Sequence, residues 1–130
     1  MALLPSTQGR AGPLSTDVLD LHVTEHGTDA RVVTVGGEID ALTAPELGVL
    51  LTAQLATAPL VVVDLERVRF LGSAGLSVLF AANERATREN RCLWLVFPRR
   101  GMVNRALEIT GLRARFNVAE TVAAALINSL

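Results

Sequence analysis

Ser73 is the residue in this chain best placed to do chemistry. It stands between Gly72 and the helical spacing of Leu76, Leu79 and Phe80. That is an expected helix N-cap, where a side-chain oxygen accepts a backbone N–H that has no helical partner. A hydroxyl held there is exposed, and a phosphate added to it would lie at the positive end of the helix dipole. The placement suits a modifiable switch better than a nucleophile. Leu71-Gly72-Ser73-Ala74-Gly75 lacks the first glycine of Gly-x-Ser-x-Gly, and no third residue is pre-placed, so serine hydrolysis is set aside. Asp40 and Asp64 are the other candidates. They either help position a metal-bound nucleotide brought by a partner or cap adjacent backbone, and capping is the preferred reading. His22 and His26 are four residues apart in an expected hairpin, a spacing suited to a metal site on a helix but not on a strand. Both read as surface residues, and no metal, cofactor or enzymatic activity is expected.

The elements that must hold these residues follow from the hydrophobic pattern. Residues 1–16 contain Pro, Gly, Ser and Thr with little periodicity and are expected to form a mobile tail, leaving one domain over 17–130. Val18 to Thr24 and Arg31 to Val35 read as paired strands around a Gly27-Thr28-Asp29 turn, the second ended by Gly36-Gly37. Thr43-Ala44-Pro45-Glu46 reads as a capping box opening a helix to about Ala56, with Leu47, Leu50, Leu51 and Leu55 as its apolar stripe. The β-branched run Leu60 to Val63 reads as a short buried strand, followed by a loop to Ser73 and a helix to about Arg88. Arg91 to Phe97 is a second buried strand stopped by Pro98, and Trp94 within it reads as core. A helix over 100–110 turns Met102, Val103, Ala106 and Leu107 inward and ends at Gly111. A short strand near Arg115 to Val118 and an Asn117-x-x-Glu120 box open the last helix. The expected fold is therefore α/β: a mixed sheet with an initial hairpin and about four packed helices.

Composition excludes several function classes. The 130 residues are 50% apolar and 19% charged, enough for one ordinary globular core. Residues 1–66 carry nine acids and two arginines, net −7, while residues 67–130 carry four acids and ten arginines, net +6. Every basic residue is arginine. The missing lysine argues against a P-loop, against a two-component receiver, and against a phosphoaspartate at Asp64. The arginines are scattered without interleaved aromatics, so a solvated surface is expected rather than direct nucleic-acid binding. Arg99 and Arg100, set before a helix where positive charge is unfavourable, hint at an anion or an acidic partner surface, with a solvent-facing pair as the default. The single cysteine, Cys92, reads as a small buried hydrophobe. The opening residues do not read as a signal peptide, and no apolar run reaches the roughly 18 residues of a membrane span, so a cytoplasmic location without membrane insertion is expected. Oligomeric state is left open.

In order and spacing, these pieces resemble the STAS domain of the anti-sigma factor antagonist type, over about residues 17–127. The resemblance rests on Gly37-Glu38-Ile39-Asp40, the Asp64-Leu65 strand end, Phe70-Leu71-Gly72-Ser73-Ala74-Gly75-Leu76, and Thr110-Gly111-Leu112. It implies a non-enzymatic, bacterial partner-switching protein in transcription regulation and stress response. The unphosphorylated form binds an anti-sigma factor that is also a serine kinase and so frees a sigma factor. Phosphorylation releases the partner, and a phosphatase resets the switch. By position, Ser73 is the phosphoacceptor. Gly37, Glu38, Asp40, Asp64, Gly72, Ala74, Gly75 and Ser77 would form the partner-binding surface, with Asp40 and Asp64 at the ends of neighbouring strands and Glu84 further along the helix. Two positions depart from the family habit: Gly72 stands where aspartate is usual, and Ala74 where serine or threonine is usual. They keep an alternative open, a constitutive STAS subunit or scaffold of a membrane-transport complex that does not cycle through phosphorylation. Direct nucleotide sensing at the Ser73 surface lacks a glycine-rich phosphate loop and ranks below both.

Overall fold

The computed structural model of the chain describes residues 19–129, so the expected tail over 1–16 lies outside the described residues. Five strands form one sheet in the order β1-β2-β3-β4-β5. The strands are β1 (Leu19–His26), β2 (Ala30–Ile39), β3 (Leu60–Leu71), β4 (Cys92–Val96) and β5 (Asn117–Ala119). β1 and β2 pair antiparallel around the expected turn, and every later pairing is parallel. The helices are α1 (Ala44–Thr57), α2 (Ser73–Arg88), α3 (Met102–Ile109) and α4 (Val122–Asn128). The larger core lies between one face of the sheet and α1, α2 and α3, with Val33, Val35, Leu47, Leu51, Leu55, Val63, Leu79, Leu95 and Leu107 fully buried. On the other face α4 covers a smaller patch of Val32, Val62, Val96 and Ala119 through Ala125. Strands covered on both faces need a continuous apolar run, which Leu60 to Val63 supplies.

Several expected boundaries are corrected. Gly36-Gly37 does not end β2. The strand runs on to Ile39, and the glycines sit at register shifts against β3, with Gly37 at φ +95°, where a side chain would be strained. β3 likewise continues through the expected loop to Leu71. Its buried residues there, Leu65, Val68 and Leu71, recur every third position because β3 carries extra residues relative to β2. α4 opens at Thr121, whose side chain accepts the Ala124 N–H at 3.0 Å. Asn117 lies in β5 instead and donates to the Leu93 carbonyl at 3.1 Å.

Three side chains also sit differently. Cys92 is exposed: it starts β4 on the α4 side of the sheet, at the end α4 leaves open. Trp94, on the same side, is half-buried rather than core, its strand lying next to the edge of the sheet. Leu50, Met102 and Ala106 are only partly buried against the main core. Gly111 does end α3 as expected. At φ +75° it forms a Schellman close, its N–H bonding the Glu108 carbonyl and that of Leu112 the Leu107 carbonyl.

Candidate functional site

The far ends of β2 and β3 project beyond β4, which pairs with β3 only as far as Asp64. There Ile39 pairs with Leu71, and the Gly72 N–H donates to the Ile39 carbonyl at 2.9 Å. That bond ties the β2–α1 turn to the start of α2. Gly72, extended at φ −90° and ψ −179°, is the N-cap, and its carbonyl accepts the Leu76 N–H at 3.0 Å. Ser73 is therefore the first residue of the helix, not its cap. Its side chain is exposed and, among the described residues, makes no hydrogen bond; the helix has no side-chain cap and no acid in its first turn.

Gly75 explains how closely α2 approaches the strands. A Cβ there would lie 2.6 Å from both Ile39 Cγ2 and Leu71 Cδ1, a collision with buried side chains. A Cβ on Gly72 would meet the Phe70 ring at 3.1 Å, but Phe70 is 48% exposed and has room to give. So Gly75 is required by packing, while Gly72 admits a side chain at modest strain.

Asp40 organises the neighbouring turn. Its Oδ1 accepts the Leu42 and Thr43 N–H groups, each at 3.0 Å, and lies 3.1 Å from the Thr43 hydroxyl, whose single proton it shares with the Glu38 carbonyl. The Thr43 N–H, first among these donors, holds the carboxyl below its usual range; partial burial opposes the effect, and the Thr43 hydroxyl and Leu42 N–H add to it. Thr43 Oγ1 in turn accepts the Asp40 N–H at 2.9 Å and donates to the Glu38 carbonyl at 2.7 Å. Thr43 is thus the N-cap residue of α1 but uses its hydroxyl backwards, to lock Glu38 and Asp40, rather than in a capping box. The sequence reading missed this role, although the Asp40-x-x-Thr43 spacing of a side-chain-locked turn was visible. It also passed over Leu42, which the turn displays at 78% exposure, and Phe70.

Gly72 and Ala74 flank Ser73 in the chain, the Gly72–Ile39 bond brings the backbone of Glu38 to Asp40 alongside, and Ser77 is exposed one turn along α2 with Glu84 half-buried further on. Gly75 is buried and acts through packing, and Gly37, also buried, through its left-handed backbone at the register shift. Asp64 does not join them. It pairs with Thr34, five β2 residues before Ile39, placing it roughly 16 Å along the sheet from the Leu71 end. Its Oδ1 caps the Glu66 N–H at 3.0 Å. Burial, then the Asp64 charge beside it, raises the Glu66 carboxyl. Arg99 forms an exposed ion pair with Glu120 at 3.3 Å, a contact of small energetic value. Among the described residues no group of His, Cys, Asp and Glu is arranged to hold a metal ion, and no helix is long and apolar enough to cross a membrane.

Comparison with known proteins places this geometry. The family model of the STAS domain matches residues 22–125. The anti-sigma-F factor antagonist RsfB of Mycobacterium tuberculosis is 33% identical over 111 residues, 85% of this chain and 88% of that protein. A solved anti-sigma factor antagonist from Mycobacterium paratuberculosis superposes with a TM-score of 0.78 at 34% identity, covering 92% of this chain and 97% of that one. The Bacillus cell fate determinant SpoIIAA, solved in its phosphorylated form, shares the fold at a TM-score of 0.66 and 14% identity, over 85% of this chain and all (100%) of that one.

Proposed function

The chain belongs to the STAS-domain family of anti-sigma factor antagonists, and from that premise we propose that it captures an anti-sigma factor kinase, frees a sigma factor, and is gated by phosphorylation of Ser73. The observation that carries this reading is the exposed Ser73 side chain on the first residue of α2, without a hydrogen bond to any described residue. A kinase needs a hydroxyl it can reach, and this one is not engaged in the fold. A phosphate there adds about −1.5 to −2 charges at a helix start free of acids, so the domain stays folded. Facing partner carboxylates, the same charge costs roughly 2–5 kcal/mol, about 30- to several-thousand-fold in affinity. That range is enough for an on/off gate, and a phosphatase would reset it. Asp40, held charged by its turn, fixes the neighbouring backbone and keeps the rim of the contact surface negative.

The departures at Gly72 and Ala74 favour a second reading, a constitutive STAS subunit of a transport complex. One experiment separates the two. Wild-type and Ser73→Glu proteins are used to capture partners from native lysate, and the captured kinase is then incubated with the wild type and Mg-ATP. The gate predicts capture by wild type alone, a phosphate on Ser73, and a Ser73→Glu variant within about 1 kcal/mol of wild-type stability. Equal capture by a folded Ser73→Glu variant would sink the gate, and transporter components among the captured proteins would favour the scaffold.

A further inference from the structure

The pairing edge of the sheet at β1 is the feature the switch leaves unused. Among the described residues β1 bonds only to β2, so its second edge exposes a row of backbone N–H and C=O groups. Such an edge is a template for another strand unless it is blunted by proline, charged side chains (lysine above all) or a bulge. Leu19 to His26 contains no proline or lysine, its acids are Asp20 and Glu25, and its register with β2 runs unbroken over all eight positions. Beside it, between β1 and α1, runs a largely apolar groove of about 580 Å³ lined by Leu21, Val23, Glu46, Val49, Leu50 and Ala53. Val49, part of this lining, is 72% exposed.

We infer that β1 pairs antiparallel with β1 of a second copy, forming a twofold dimer with a continuous ten-stranded sheet. Antiparallel strands place residues of one face directly opposite each other, so self-pairing about Val23 sets Val23 against Val23 and His22 against Thr24. The same register sets Leu21 against Glu25 and Asp20 against His26, each contact occurring twice under the twofold. Asp20 and His26 are of complementary type, and the apolar Leu21 and Val23 meet on the groove side. Glu25 faces Leu21 across the junction but already has Arg31 as its cross-strand neighbour within its own protomer. The two grooves adjoin across the axis, adding apolar burial that strand pairing alone lacks. Moving the pairing centre to His22 would bring His22 against His22 and Asp20 against Thr24, losing the Asp20–His26 contact.

Sedimentation velocity of the full chain across a micromolar concentration series tests this. A monomer–dimer equilibrium is expected. Val23→Lys, on a residue already 40% exposed, should leave the fold intact and shift the chain to monomer. Asp20→Lys should weaken the dimer by several-fold to roughly thirtyfold, and Asp20→Lys with His26→Glu should restore it. A monomer at every concentration would overturn the proposal. So would a dimer indifferent to Val23→Lys, or a chain that is monomeric at full length and dimerises only when residues 1–17 are removed, which would assign the edge to the chain's own N-terminal segment.

Discussion

The two halves of the β2–β3 pair are built to different rules. From Ala30 to Thr34 against Leu60 to Asp64 the register is unbroken, and apolar side chains are covered on both faces, by α1 and α2 on one and α4 on the other. Beyond Thr34 and Asp64, as far as Ile39 and Leu71, there are two register shifts and a left-handed glycine, and β4 no longer accompanies β3. The regular half carries most of the burial. The irregular half spends regularity on geometry: it carries the start of α2 and the Asp40 turn out beyond the body of the sheet. On the proposed function, stability and recognition are separable along a single pair of strands, and substitutions should damage one without the other.

The largest effect should come from the regular half. Leu51, fully buried between α1 and the sheet, loses about 2–5 kcal/mol on replacement by alanine. Denaturant unfolding should show that loss, while partner capture at low temperature stays at the wild-type level. Lost capture by a still-folded Leu51→Ala protein would mean that the two halves are coupled.

Glycine-to-alanine changes on the two neighbouring helices sharpen the contrast. At Gly75 the new Cβ collides with Ile39 and Leu71, so Gly75→Ala should cost roughly 1–3 kcal/mol and weaken capture by displacing the Ser73 turn. At Gly48 in α1 the nearest atom to a new Cβ is Val78 Cγ1 at 3.5 Å, an ordinary contact. Gly48→Ala should therefore stabilise by about 0.5–1 kcal/mol through helix propensity and leave capture unchanged. Thermal midpoints and binding isotherms on the pair check both signs. Equal effects at the two sites would remove the packing account of Gly75.

The regular half was also the legible half. Leu60 to Val63 is four apolar residues in a row, and the Leu47, Leu51, Leu55 stripe has plain helical spacing. The segment from Leu65 to Leu71 escaped because its buried residues fall every third position, matching neither the period of a strand nor that of a helix. Glycines that mark a register shift look in sequence like glycines that end a strand, which hid the last residues of β2. Ser73 was placed within one residue of its true position, but a glycine N-cap followed by serine is hard to tell from a serine N-cap by pattern alone. Asp64 was joined to Asp40 because both follow apolar strand residues. The extra residues in β3 that separate them become visible only once the strands are paired.

The smallest effect concerns the Asp40 turn and is best read as a difference across pH. The Thr43 and Leu42 N–H groups and the Thr43 hydroxyl favour the charged carboxylate, so its pKa is lower in the folded chain than in the unfolded one. Its contribution to stability is then fully present at neutral pH and is lost as pH falls through the folded-state value, below the usual carboxylate range. Asp40→Asn keeps an oxygen that can accept the same N–H groups but removes the charge. Wild type should therefore unfold at a slightly higher temperature than Asp40→Asn near neutrality, and the two curves should converge in acid. A gap that persists in acid would show that asparagine disturbs the geometry of the turn. The locked Thr43 hydroxyl, rather than the carboxylate charge, would then be what holds the irregular half in place.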